Sequence, residues 1–198
     1  YGYVGVDIPE QSFGSNKGVF DPAEINELVA DNKWTQYGQL ELIETQTVSG
    51  VSTVDFTSIK GSEYNVHFLT YSNVKLSAGN NQIGMRFYES GTLETASVYE
   101  WGIVRVEGTT FSEQKTTGFS RLPVSWYALS TNTGNNANGY FYFYNLNDSS
   151  KYSFMTNQSF GWGYNSDTGM QFGSCVLPQA SSVDVFQIAH YDTGRVNI

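Results

Sequence analysis

The sequence has a single cysteine, Cys175, in 198 residues. An internal disulfide and a cysteine-based zinc site are therefore both excluded. Charge is scarce as well, at 15% of residues, where a typical domain carries about 25%. The charge present is one-sided: 19 acidic against 10 basic residues, a net −9. With no basic run to displace counterions, no nucleic-acid partner is expected, and docking on an anionic membrane surface is disfavoured. No apolar stretch approaches the roughly 18 residues of a spanning helix, so no membrane insertion is expected. No basic segment followed by an apolar run opens the chain, and the first residue, Tyr1, predicts a processed or partial sequence.

Catalytic signatures are missing too. There is no Gly-x-x-x-x-Gly-Lys, no Gly-x-Gly-x-x-Gly and no Gly-x-Ser-x-Gly. The two histidines, His67 and His190, form no metal-binding pair. The glutamates at 41, 44, 89, 94, 100 and 107 make no compact pair of the kind a glycoside hydrolase needs, and read as solvated. Cys175 sits in an apolar run with no basic neighbour to activate it, and reads as a small buried hydrophobe. Asn145-Leu-Asn-Asp148 and Asn165-Ser-Asp167 carry oxygen ligands but are ordinary turn formers. No enzyme, metal or cofactor is expected. Two Asn-x-Ser matches, at Asn147 and Asn157, are glycosylation-type triplets.

What the chain does have is aromatic mass. Fourteen Tyr, thirteen Phe and four Trp make 16% of it, enough to build a large core. Asp21, Pro22 and Glu24 form a helix start, and Ile25, Leu28 and Val29 continue at helical spacing. One short helix is expected over 21–32. From residue 38 the pattern is β throughout. Strands are expected over 39–48, 51–56, 64–76, 82–89, 97–106, 120–129, 139–144, 152–156, 169–176 and 183–190, with a last one near Arg195. Without intervening helices this predicts an all-β, antiparallel, jelly-roll-like sandwich. An N-terminal arm with the helix (1–37) would precede the sandwich domain (38–198).

Within 139–144, Phe141 and Phe143 share one face and Tyr140, Tyr142 and Tyr144 the other. The Phe face reads as core. The Tyr face reads as a second buried layer or a contact surface. Trp162, between two glycines, with Tyr164, Asn165 and Asp167, is the candidate sugar-contacting loop. Phe13, Phe20, Ile25, Leu28 and Trp34 are the candidate assembly contacts of the arm and helix.

Residues 34–47, continuing to Val54-Asp-Phe-Thr-Ser-Ile59, then 64–73 and Gly84-Met-Arg-Phe-Tyr88, carry a resemblance. Ser97-Val-Tyr-Glu-Trp101, Asn135-Asn-Ala-Asn-Gly-Tyr140 and Thr193-Gly-Arg-Val196 extend it. The sequence resembles virion structural proteins of tailed phages, especially marine ones, of the capsid-decoration and tail-fibre types. The resemblance implies a non-enzymatic protein on the exterior of a phage particle. It implies other virion proteins as partners and a homo-oligomer, with a trimer as the first guess. A lectin-like module binding a host-surface glycan, as a receptor-binding protein would, is the alternative.

Overall fold

A computed structural model describes residues 22–31, 40–77, 82–125, 129–132, 134, 136–163, 166–190 and 196–197. The chain divides into two compact units, Tyr1–Leu42 and Ile43–Ile198. In the first, the helix α1 spans Pro22–Ala30, with Pro22 at its first position as the sequence predicts. Ile25 and Leu28, three residues apart, are half-buried, and Val29 is exposed.

The second unit is an antiparallel β-sandwich, as the alternating pattern predicts. Its strands are β1 (Thr53–Phe56), β2 (Val66–Leu76), β3 (Ile83–Glu89), β4 (Thr92–Leu93), β5 (Tyr99–Glu107) and β6 (Thr110–Phe119). They continue with β7 (Leu122–Pro123), β8 (Ala137–Tyr144), β9 (Tyr152–Trp162), β10 (Thr168–Ala180), β11 (Val183–His190) and β12 (Val196–Asn197). One sheet runs β1-β11-β3-β4, with β7 also on β3. The other runs β12-β2-β8-β9-β10-β5-β6.

The sheets meet through rings. Phe143 of β8 stacks on Phe186 of β11 at 5.0 Å and meets Phe87 of β3 edge-on at 6.3 Å. Tyr99 of β5 is fully buried, and its hydroxyl reaches across to the other sheet. It accepts from the Phe87 N–H (3.0 Å) and donates to the Glu94 carbonyl (3.2 Å). Trp101 is core, edge-on to Phe119, and Cys175 is buried with its thiol pKa pushed up by burial.

Some expected elements differ. No strand forms over 40–50, where Leu40 and Leu42 are exposed. No residue of 40–50 is fully buried, so the alternation offers no apolar face to secure a strand. Among the described residues of the expected strand 120–129, Leu122–Pro123 form a strand and Leu129 a single bridge to Gly163, and the Val124 and Ser125 N–H groups both converge on the Ile83 carbonyl, which ends the regular ladder there. Conversely, β6 is a strand whose inward Ser112, Gln114 and Thr116 carry no apolar signal, and β9 runs six residues past its expected end.

His67, on the inner face of β2, is buried, and that burial lowers its pKa, partly offset by the Ile59 backbone. The unfolded chain takes up this proton near the ordinary 6.5, while the folded ring resists it. Stability is therefore unaffected by this group above that pH and falls as pH drops below it. Urea midpoints between pH 7.5 and pH 5.5 should fall more steeply in the parent than in His67→Phe.

Candidate functional site

The outer face of the seven-stranded sheet departs from the usual rule that strands bury their apolar side. In β9 the inward residues are Ser153, Met155, Asn157 and Ser159, all buried. The outward ones include Phe154, Phe160 and Trp162, each more than 40% exposed. Its partner β10 does the same: Gln171 is buried while Met170 and Phe172 are exposed. A one-residue slip would bury these large side chains, yet the register holds them outward along nine consecutive pairs from Thr168↔Trp162 to Val176↔Phe154.

The neighbouring strands complete the surface. Val66 and Phe68 of β2, Tyr140 and Tyr142 of β8, Tyr152 of β9 and Phe111 of β6 are exposed on the same side. Eleven large apolar side chains, 37–63% exposed, thus share one face among the described residues. At roughly 200 Å² per aromatic side chain they present on the order of 900 Å². The largest patch on a typical monomer is about 300–600 Å².

Two cross-strand rows shape the centre of this face. One row is Glu113, Val104, Phe172, Gln158 and Tyr140, on β6, β5, β10, β9 and β8 in turn. The next is Lys115, Gly102, Ser174, Thr156 and Tyr142 on the same strands. The first row is bulky and the second is small in its middle, so a trough of about 770 Å³ runs across the strands. Its floor is Gly102, Ser174 and Thr156, its wall Val104 and Phe172, and its ends are Tyr140 with Tyr142 and Glu113 with Lys115. Four inter-strand steps make it about 19 Å long. Phe68 packs on Tyr142 at 4.7 Å, and the Tyr140 hydroxyl donates to Gln158 Oε1 at 2.7 Å, which fixes the β8 end.

No protein-family model, curated protein or solved structure matches the chain. The geometry and the resemblance are what bear on function.

Of the candidate sugar-contacting residues, Trp162 is the last residue of β9 rather than a loop residue, and it belongs to the outer face. Asp167 is exposed just before β10, where its carbonyl accepts from the Gly163 N–H at 2.9 Å. Tyr164 and Asn165 lie outside the described residues, as do Phe13, Phe20 and Trp34 of the arm group. Ile25 and Leu28 share one side of α1. Phe68, Phe172, Gly102 and Ser174 were not singled out from sequence. The Tyr140/Tyr142 alternation and Trp162 were the signals that pointed to this face.

Other groups resolve into structural roles. Asn157 is buried inside β9, its amide donating to the Pro123 carbonyl at 3.2 Å, so the folded chain does not present it for glycosylation. Asp148 closes a turn, where Lys151 and Ser150 hold its carboxylate down to about 2. The Glu44 carboxylate accepts from the Thr57 and Ser58 N–H groups. Glu89 departs from a solvated reading: it is partly buried, accepts from the Ser181 hydroxyl, and sits beside Glu94. Burial first, and Glu94 second, raise its pKa. Both lie away from the trough, whose lining holds one carboxylate, Glu113. Among the described residues no three His, Cys, Asp or Glu side chains converge as a metal site would require.

Proposed function

We propose that this chain is a non-enzymatic structural protein of a tailed-phage particle's exterior, and that it assembles through the outer face of its seven-stranded sheet. The exposed apolar face carries the assembly part of this reading. Its area matches one side of a standard protein interface, about 800 Å². Its composition also fits: Phe, Tyr, Met and Trp are present and few charges interrupt them. The virion setting rests on the sequence resemblance. The single carboxylate in the trough supports a binding rather than a hydrolytic role, since glycoside hydrolysis uses two carboxylates flanking one bond.

An antibody against the chain tests the setting. It should decorate intact particles on their outer surface in electron micrographs. Labelling confined to disrupted particles would overturn the exterior placement.

A second reading has its own observation. The trough combines aromatic ends and walls with hydroxyl and amide groups at Ser174, Thr156 and Gln158. That is the chemistry that takes up a linear glycan. Eight of the eleven exposed side chains are Phe, Met, Val or Trp without a hydroxyl to offer a sugar, beside Tyr140, Tyr142 and Tyr152, which places a protein contact first.

A further inference from the structure

We propose that the outer face closes on the same face of a second copy of this chain, related by a two-fold axis between the two central rows. The inference rests on the reading that this face is an assembly surface, and it names the first partner.

Area is the first argument. Two such faces would bury on the order of 1,800 Å², within the range of stable specific interfaces. Shape is the second. A two-fold contact is self-complementary: what residue i meets on the partner, the partner's residue i meets in return. An axis lying across the strands midway between the rows sets the bulky row of each copy over the small row of the other. Phe172 of one copy then seats over the Ser174–Gly102 hollow of its partner, and the reverse contact fills the other hollow.

Charge is the third argument. The bulky row begins at β6 with Glu113 and the small row with Lys115, both exposed. The same axis brings each Glu113 over the other copy's Lys115, so the trough's two charges pair twice. Copies at −9 repel elsewhere, so a face that carries one acid and one base in its trough is the place where they can approach. A three-fold ring would instead join two different patches on each copy. One continuous face favours the two-fold dimer over the trimer.

Sedimentation equilibrium on the full chain, from micromolar to near-millimolar concentration, tests this. The parent should dimerise. Glu113→Lys alone and Lys115→Glu alone should each weaken dimerisation about tenfold or more, because each sets like charges over one another. A mixture of the two single variants should form a heterodimer at parental strength. Gly102→Leu should also abolish the dimer while keeping the parent's circular dichroism, since a side chain there points into open space.

A parent that stays monomeric overturns the proposal. A dimer indifferent to the charge variants and to Gly102→Leu overturns this register and face. A monomer that binds a soluble linear glucan, weakened by Tyr142→Ala, overturns it in favour of the glycan reading. None of these results depends on the particle labelling, so the two readings fail separately.

Discussion

Phe143→Ala should cost about 4 kcal/mol of folding stability, a large part of what a domain of this size holds. Phe172→Ala, two strands away, should cost about 1 kcal/mol or less when measured in dilute solution. The chemistry of the two substitutions is the same; the side of the sheet differs. Phe143 is fully buried and touches rings on both sheets: Phe141 at 5.9 Å, Phe186 at 5.0 Å and Phe87 at 6.3 Å. Alanine would leave a hole between two sheets that are each held by their own ladders and cannot collapse onto it. Phe172 is 44% exposed, so its truncation removes little that folding had buried. Urea denaturation with an unchanged m-value checks both. A Phe172→Ala cost near that of Phe143→Ala would mean that the outer ring supports the fold, and the face would lose its standing as a free contact surface.

The contrast also explains what could be read from the sequence. Residues 140–144 alternate Tyr and Phe without interruption, and the two faces they define are the two faces observed. The helix start was legible because Asp21, Pro22 and Glu24 act locally. The strand β6 was not, because its inward Ser112, Gln114 and Thr116 carry no hydrophobic signal. It is held by its ladder to β5, which residue types do not report. Residues 157–162 failed for a related reason. Asn157 and Ser159 face the interior while Phe160 and Trp162 face out, so the pattern reads as the end of a strand rather than as its inverted continuation. Such local inconsistency is expected at functional surfaces. The central rows of the trough depend on which strands are neighbours. Bringing Glu113 and Phe172 beside Tyr140 takes four strand pairings that no local pattern encodes.

Two glycines on adjacent strands separate fold from function most directly. Gly173→Ala should destabilise by about 3 kcal/mol, while Gly102→Ala should be neutral or slightly stabilising, by up to about 0.5 kcal/mol. A methyl on Gly173 would lie 2.5 Å from the Gly102 carbonyl oxygen and 2.9 Å from the Ile103 Cα. Both are backbone atoms of the paired strand β5, so relief requires the ladder itself to shift. A methyl on Gly102 would meet nothing within 4 Å. Glycine inside a strand costs roughly 0.5–1 kcal/mol relative to alanine, and packing gives no reason to accept that cost at Gly102. What glycine does there is keep the trough floor bare opposite Ser174. Thermal or urea unfolding of the two variants, side by side, decides the point. If Gly102→Ala destabilised as much as Gly173→Ala, the trough would be a by-product of packing. If it leaves stability intact while weakening dimerisation, the bare floor serves what binds there.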